Sequence, residues 1–587
     1  MNHPKIGIRP VIDGRRFGMR ESYEEQTGQL AETAAALIRS RLRYTDGSPV
    51  ECVISPVIIG GGAEAAQCQE FFAVQNVVGT LSVTPCWCYG METLDNDPLT
   101  FKAIWGFNAT EAPGAVYLSA AMAAHAQLGL PAYSIYGRDV QEKDDRTVPA
   151  DVQEKILRFA RCAVAAGCMR NRAYVNLGGV SMGIAGSYMD MRFFTRYLGL
   201  RPEWVDLTEV LRRIHLGIYD REELEKALAW IGKNCPEGDD NNPPETRHSP
   251  ERKAQEWEFV LKMTLVFRDI LQGNPKLAAM GYQEEALGKN AVAAGFQGQR
   301  AWTDWLPNGD FAEAILNSGF DWNGKRPPLI LATENDTCNA AVMLFENLLT
   351  QRSAVFADVR TYWSPDAVKR VTGQMPSGEA AGGFIHLINS GAAALDATGA
   401  QRDEQGNGVM KPWWELTTAD ISACLKATRW APASLRSFRG GGFSSQFSTQ
   451  AVMPITMARL NIVDGVGPTL QLAEGSTVVL PPAMDRILLD RTDPTWPSTW
   501  FVPRVTGKGA FRDVYTVMTR WGANHAAFCY GHIGADLVTL ASMLRIPVVM
   551  HNLTEEELFI PHAWSSFAAN SVEDGLFRAC RELGPLY

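Results

Sequence analysis

The 587-residue chain has no excess of positive charge. It carries 55 Lys and Arg against 65 Asp and Glu, a formal net charge of −10, and no run rich in Lys or Arg. Proteins that bind nucleic acid neutralise phosphates with clustered basic side chains. The charge balance therefore argues against a nucleic-acid-binding protein.

Long hydrophobic runs are also missing. No apolar run reaches the ~18 residues of a membrane-spanning helix, and residues 1–8 pass into a strand-like pattern without the apolar core of an export signal. The eleven cysteines lie scattered among apolar neighbours, without the spacing of a disulfide framework. We therefore expect a cytoplasmic protein with no membrane partner.

Several motifs that would identify a chemistry are absent as well. The turn Gly60-Gly61-Gly62 lacks the spacing of a phosphate-binding loop, and we interpret it as a permissive strand-to-helix connection. No G-x-S-x-G nucleophile elbow is present. Cys86 and Cys88 resemble half of a zinc site, but no second pair of cysteines or nearby histidine completes it.

What the sequence does contain is typical of a soluble α/β protein. It is 46% hydrophobic and 20% charged, and its length predicts about two to four domains. Strand-like runs alternate with helical patterns in the first half of the chain, which indicates doubly wound parallel sheets. In this alternation we expect residues 114–118 to form a strand before an Ala-rich helix over 119–128.

The pattern changes after residue 365. Short strands separated by Gly- and Pro-rich turns predict a β-rich, barrel-like third domain. We place the three domains at 1–170, 171–352 and 353–587.

Two acidic residues directly follow two consecutive apolar runs. Glu334 follows a strand-like run at 329–332 and Asp358 follows another at 354–357, with a plausible helix over 338–349 between them. A strand–helix–strand unit would bring both carboxylates to one edge of one sheet, where ligands bind in such folds. Two neighbouring carboxylates can share a divalent cation or a proton. The alternative for each is a helix cap or a surface ion pair.

Histidines limit the choice of a third ligand, because there are only nine. His525 is flanked by small residues, so that a ligand could approach the backbone closely. His532 lies two helical turns further on, too far to bind the same ion from a straight helix. Two carboxylates and one imidazole suit Mn²⁺ or Mg²⁺. The alternative for either histidine is a buried core position in which other protein groups hydrogen-bond to the ring nitrogens.

Aromatic residues in Gly- and Pro-rich stretches point to a sugar. These aromatic residues do not recur at the spacing of one face of a helix: Trp87, Tyr89, Trp496 and Trp500. Flat aromatic rings in loops can stack on the apolar face of a sugar, although filling an aromatic core explains any one of them equally well.

The segments around these residues resemble the L-fucose isomerase family. The resemblance lies in Ala-Thr-Glu-Asn-Asp around Glu334, Phe-Ala-Asp-Val-Arg-Thr-Tyr-Trp-Ser-Pro around Asp358 and Trp-Gly-Ala-Asn-His ending at His525. Further segments that resemble the family cover essentially the whole chain: 4–16, 83–90, 178–186, 294–300, 439–442, 506–509 and 584–587.

The resemblance implies a cytoplasmic homohexamer that acts as an aldose–ketose isomerase. It implies two α/β domains followed by a C-terminal domain that contains a β-barrel. The cofactor would be Mn²⁺, with Mg²⁺ or Co²⁺ as alternatives. Glu334 and Asp358 would bind the metal and shuttle the proton, with His525 as the third ligand. L-fucose would give L-fuculose, and D-arabinose would give D-ribulose, through a cis-enediol.

The resemblance also implies a sugar-binding site. Ser437 and Phe443 stand where we expect tyrosine in relatives, which affects one contact with a sugar hydroxyl. A neighbouring subunit would contribute one tryptophan. The residues implied are Arg15 or Arg16, Gln297, Trp496 and Asn524, with Trp87 from the neighbour.

Three other functions remain open from the sequence. The nearest is the same reaction on another aldose, such as L-arabinose. A metal-dependent aldolase or hydrolase could use the same three ligands and would release fragments. A sugar-binding protein of two α/β lobes would need no metal.

Overall fold

A computed structural model of the protein describes residues 3–112 and 114–587. It contains two parallel β-sheets and a seven-stranded sheet, six strands of which close into a barrel. The predicted class, two α/β units followed by a barrel-containing region, is confirmed. Among the described residues, no helix combines the length and apolarity needed to cross a bilayer.

The first sheet is a five-stranded parallel sheet. Its elements are β1 (Lys5–Pro10), α1 (Glu24–Arg41), β2 (Cys52–Ile54), α2 (Gly62–Ala73), β3 (Val77–Thr84), β4 (Phe101–Gly106), α3 (Gly114–Leu128), β5 (Ala132–Tyr136) and α4 (Ala150–Met169). The strand order β2-β1-β3-β4-β5 is that of a doubly wound fold. The strand expected over 114–118 is wrong, because these residues begin α3. A short apolar run fits a buried helix as well as a buried strand.

The second sheet repeats this arrangement with four parallel strands in the order β11-β8-β6-β7. Its elements are β6 (Ala173–Leu177), α5 (Met191–Leu198), β7 (Arg201–Val205), α6 (Leu207–Leu216), α7 (Arg221–Asn234), α8 (Pro250–Gln272), α9 (Pro275–Ala279), α10 (Gln283–Leu287), β8 (Ala291–Phe296), α11 (Asp310–Asn317), β9 (Phe320–Asp321), β10 (Gly324–Lys325), β11 (Ile330–Ala332) and α12 (Thr337–Thr350).

The third region is built around the barrel. Its elements are β12 (Val355–Trp363), α13 (Pro365–Thr372), β13 (Phe384–Ile388), α14 (Thr418–Ala427), β14 (Arg429–Pro432), β15 (Phe443–Gln446), β16 (Pro454–Val463), β17 (Gly467–Val478), α15 (Pro482–Leu489), β18 (Ser498–Pro503), α16 (Val514–Arg520), β19 (His525–Tyr530), α17 (Gly534–Met543), β20 (Val548–Met550), α18 (His562–Ser566) and α19 (Val572–Leu583). The order is β16-β19-β12-β13-β18-β17, and pairing of β16 with β17 closes the ring.

The helix between the two acidic residues does not return to the same sheet. β11 belongs to the second parallel sheet, whereas β12 is a barrel strand, so the expectation of one shared sheet edge is wrong. The reason is that α12 is buried along almost its whole length and packs against β8 and β11 on one side and β16 and β19 on the other. The helix α12 therefore lies between the second parallel sheet and the barrel.

Candidate active site

The turn that follows β11 carries Glu334 in an unusual backbone conformation. Glu334 and Asn335 have φ angles of 59° and 47°, in the left-handed region that costs a non-glycine residue about 1–3 kcal/mol. Asn335 holds the turn on the sheet, because its Oδ1 accepts from the Tyr174 hydroxyl (3.0 Å) and its Nδ2 donates to the Gly179 carbonyl (3.1 Å). A Cβ at Gly295 would lie 2.3 Å from Asn335 Oδ1, so a side chain there would displace the turn.

Asp358 and His525 are directly paired across two barrel strands. β12 and β19 run antiparallel with Asp358 opposite His525. His525 Nε2 lies 3.3 Å from Asp358 Oδ1 and 3.6 Å from Glu334 Oε2. The structure therefore brings together the three ligands expected from the sequence, two from the barrel and one from the second sheet.

A fourth residue, Asp336, orients the imidazole. Its Oδ2 lies 2.7 Å from His525 Nδ1 and also accepts from Arg459 (2.6 Å) and from the Ser187 hydroxyl (3.1 Å). Asp336 and Arg459 are both fully buried. Because Nδ1 is held by this carboxylate, Nε2 is the nitrogen that faces the other two acids. Such carboxylate–histidine pairs fix the ring of metal-binding histidines.

Glu334, Asp336, Asp358 and His525 form an acid–histidine cluster with shifted pKa values. Burial raises the pKa of Glu334 to about 7, an effect that His525 opposes and Asp358 reinforces. Burial alone would lower the pKa of His525, but the hydrogen bond to Asp336 and the nearby Asp358 raise it to about 9. Burial would raise the pKa of Asp336, yet Arg459 and His525 keep it below its usual value. The cluster thus favours a positive charge among its carboxylates.

The donor set fits a divalent cation. Glu334 Oε2 is buried, has no hydrogen-bond partner among the described residues, and lies 3.6 Å from His525 Nε2, which in turn lies 3.3 Å from Asp358 Oδ1. Carboxylate oxygens and imidazole are suitable ligands for Mn²⁺. Within 3–112 and 114–587, no group of three or more His, Cys, Asp or Glu side chains is arranged so that it could hold a metal ion, and here His525 Nε2 itself lies beside the two carboxylate oxygens.

The closest glutamine to the cluster is not the one implied by the resemblance. Gln299 Nε2 donates to Glu334 Oε1 (3.1 Å) and lies 3.4 Å from the Ser390 hydroxyl. Gln297 points elsewhere, because its Oε1 accepts from the Gly179 amide at 2.7 Å. Sequence reasoning missed Gln299, since two glutamines separated by one glycine offer no basis for a choice.

Two other expected sugar-binding residues border the cluster. Asn524 Nδ2 lies 2.8 Å from His525 Nε2. Arg360 donates to Asp358 Oδ2 (3.1 Å), and its guanidinium lies 5.8 Å from the centre of a Trp496 ring. The indole N–H of Trp496 is buried without a partner, which leaves it available to a hydroxyl group.

The remaining expected residues lie in the first α/β domain. Arg15 donates to both carboxylate oxygens of Asp13, and Arg16 lies 3.9 Å from Glu24. Trp87 is half-buried against the core of its own domain. Among the described residues, no hydrogen bond or ion pair joins these three side chains to the acid–histidine cluster.

Family models cover most of the chain. The first N-terminal domain of L-fucose isomerase matches residues 3–171, the second N-terminal domain matches 172–351, and the C-terminal domain matches 387–551.

Full-length relatives agree with these matches. A curated L-fucose isomerase from Bacteroides fragilis is 58% identical over 587 residues, covering 100% of this chain and 99% of the relative. Those from Haemophilus influenzae and Streptococcus pneumoniae serotype 4 are each 57% identical, covering 100% of this chain and 99% and 100% of the relatives. The chain therefore belongs to the L-fucose isomerase family and is an aldose–ketose isomerase, an intramolecular oxidoreductase.

Proposed function

We propose that this isomerase converts L-fucose to L-fuculose, and D-arabinose to D-ribulose, with Mn²⁺ held by Glu334, Asp358 and His525. The observation that carries the proposal is the approach of Glu334 Oε2 (3.6 Å) and Asp358 Oδ1 (3.3 Å) to His525 Nε2. The substrate is proposed from the name of the full-length relatives.

The cation would supply electrophilic assistance, because it polarises the carbonyl at C1 and the hydroxyl at C2 of the open-chain sugar. Glu334, Asp358 and His525 would hold it, and Asp336 would keep the imidazole in place. Mg²⁺ or Co²⁺ suits the same donor set.

We assign the carbon-bound proton to Glu334. Gln299 holds its Oε1, while Oε2 has no hydrogen-bond partner among the described residues and is free to accept a proton. When Glu334 removes the proton from C2, the C–H electron pair forms the C1=C2 bond and the carbonyl electron pair moves onto O1, giving a cis-enediol as its monoanion. Asp358, whose Oδ2 is held by Arg360, takes the proton of O2 and delivers it to O1. The electron pair left on O2 then forms the C2=O2 bond, and C1 takes the first proton back from Glu334, which gives the ketose.

Sugar recognition would involve residues of two subunits. Trp496 and Asn524 border the cluster in the same chain. Arg15, Arg16 and Trp87 do not reach it there, and we propose that a neighbouring subunit of a homohexamer supplies them. Gln297 remains a proposed sugar contact that would need its side chain to leave the Gly179 amide.

We also propose that the enzyme works in the cytoplasm. All eleven cysteines are free, and most of them are buried. Thiols kept in this state suit a reducing compartment.

An activity assay on metal-depleted protein tests the proposed function. The protein is treated with EDTA, dialysed, and supplied with Mn²⁺, Mg²⁺, Co²⁺ or no metal, each with L-fucose, D-arabinose or L-arabinose. We expect ketose from L-fucose and D-arabinose only after a metal is restored. Equal ketose without metal would overturn the cofactor, turnover of L-arabinose alone would overturn the substrate, and fragments would support an aldolase.

A further inference from the structure

A basic cavity lies at the junction of the three regions, at the opposite end of α12 from the acid–histidine cluster. Its volume is about 380 Å³. It is bordered by the end of α1, by α4, by the end of α12 and by the start of α17. Four arginines line it: Arg41, Arg43, Arg161 and Arg352.

The arginines of this cavity outnumber its acids. Among the described residues that line it, the carboxylates are Asp536 and Glu415. Asp536 already accepts from Arg161 at 2.6 Å. The hydrogen bonds of two other arginines to described residues all go to backbone carbonyls: Arg43 to the end of α1, and Arg352 to Tyr530 at 3.1 Å. The cavity thus holds uncompensated positive charge in a protein whose net charge is −10.

Arg352 shows most directly that an acceptor is missing. Its Nε is inaccessible to solvent and has no hydrogen-bond partner among the described residues. Burial also lowers the pKa of this guanidinium. A buried N–H without an acceptor is costly, and more so in a charged group. An anion in the cavity would offset the charge of this buried guanidinium.

We propose that the cavity binds a small anion bearing a phosphoryl group. Guanidinium groups bind phosphate oxygens with paired N–H donors, and several arginines around one space are typical of phosphate recognition. The volume lies within the ~300–1,000 Å³ of sites for small organic ligands. Val164, Leu349, Trp414 and Ile533 add apolar walls, so the space suits a phosphorylated sugar as well as inorganic phosphate.

This site is separate from the candidate active site. The 14 residues of α12 span ~21 Å. Asp336 caps the start of the helix and holds His525, whereas Arg352 follows its end. β19 makes the same connection, since it begins at His525 and ends at Tyr530, whose carbonyl accepts from Arg352. Binding at the cavity does not depend on the proposed isomerase reaction.

Isothermal titration calorimetry on the full-length protein tests the proposal. The probes are inorganic phosphate and D-glucose 6-phosphate, with D-glucose and NaCl of equal ionic strength as controls. We expect saturable binding of a phosphorylated probe and none of D-glucose. Tighter binding of the sugar phosphate would identify a phosphorylated sugar as the ligand class, and equal binding would identify the phosphate group alone.

Matched variants locate the binding. Arg41→Gln changes an exposed side chain and Arg352→Gln a half-buried one, and we expect each to weaken binding at least ~10-fold, as for loss of one charge-assisted hydrogen bond. Arg192→Gln, an exposed arginine on α5, should bind as the unmodified protein does. The proposal would be overturned if neither phosphorylated probe gave a binding signal above that of the NaCl control. It would also be overturned if Arg41→Gln and Arg352→Gln both bound the probe as tightly as the unmodified protein. Arg41→Gln keeps the test valid if Arg352→Gln fails to fold.

Discussion

The acid–histidine cluster and the loops of the first domain differ in how completely one chain organises them. In the cluster, the side chains of His525, Glu334 and Asp358 are 3%, 9% and 23% exposed, and a described residue holds each of them. In the first domain, Arg15 and Arg16 are 55% and 57% exposed, and each is paired with a nearby acid.

This difference distinguishes the residues proposed for proton transfer from those proposed for sugar binding. Buried groups held by several partners are preorganised for proton transfer, which requires accurate placement. Exposed arginines beside a half-buried tryptophan can still be covered by a second protein surface. A single chain therefore contains the residues of the proposed chemistry, and we propose that part of the sugar-binding surface forms only when subunits assemble.

The largest expected effect lies in the cluster. Glu334→Gln or Asp358→Asn removes a proposed proton carrier and a metal ligand, and we expect kcat to fall by about 10²–10⁴-fold together with weaker Mn²⁺ binding. Steady-state kinetics and metal analysis measure the two effects. Glu379→Gln, which changes an exposed acid on another surface, is the control and should leave both unchanged. Unmodified turnover in either cluster variant would contradict the assignment of that residue.

Removal of the orienting carboxylate should have the next largest effect. Asp336→Asn replaces the anionic acceptor of His525 Nδ1, and loss of such a partner typically weakens metal binding about 10–100-fold. Calorimetry with Mn²⁺ measures the affinity. Excess Mn²⁺ should restore part of the turnover, which a purely structural defect would not allow. Affinity equal to that of the unmodified protein would show that Asp336 does not position the ring.

The first-domain loops should show a smaller effect that depends on assembly. Trp87→Ala removes a proposed contact from the neighbouring subunit, and we expect KM for L-fucose to rise about tenfold, as for a contact worth ~1.4 kcal/mol. Mixing Trp87→Ala with Glu334→Gln subunits provides the sharper test. Activity above the sum of the separate proteins means that one intact site forms from two chains. No gain after verified subunit exchange argues against a shared site.

The smallest effect should distinguish the two glutamines. Gln299→Ala removes the donor to Glu334 Oε1, worth ~0.5–1.5 kcal/mol or a few-fold to about tenfold in kcat/KM. In this structure Gln297 contacts the turn at Gly179 rather than the cluster, so Gln297→Ala should change KM more than kcat. The reverse pattern, with kcat lowered by Gln297→Ala and unchanged by Gln299→Ala, would show that Gln299 does not hold Glu334 during the reaction.

The sequence was sufficient to predict the class of fold and the proximity of Glu334, Asp358 and His525. Glu334 and Asp358 each follow a buried apolar run, and this local pattern can be recognised without knowledge of the tertiary structure. The expectation of one shared sheet was wrong because β12 pairs with β13 and β19 in the barrel, and β19 lies far along the chain. Local periodicity carries no information on such pairings.

The residues that hold His525 and Glu334 in place were harder to predict from the sequence. Asp336 precedes a helix, where an N-cap explains it fully, and its contact with His525 exists only in the folded protein. The position of Arg459 in the sequence does indicate a buried ion pair, because an arginine within an apolar strand requires a buried partner for its charge. Only the structure identifies that partner as Asp336.

The central claim is a metal-dependent proton transfer by cluster carboxylates, and isomerisation in D₂O tests it most directly. EDTA-treated protein, with and without restored Mn²⁺, is incubated with L-fucose, and the product is analysed by NMR. Glu334 carries the proton between C2 and C1 and its side chain is 9% exposed, so we expect part of that proton to exchange with D₂O, and L-fuculose with deuterium at C1 should form only in the Mn²⁺ sample. L-fuculose formed equally without metal, or carrying only protium at C1, would contradict the claim.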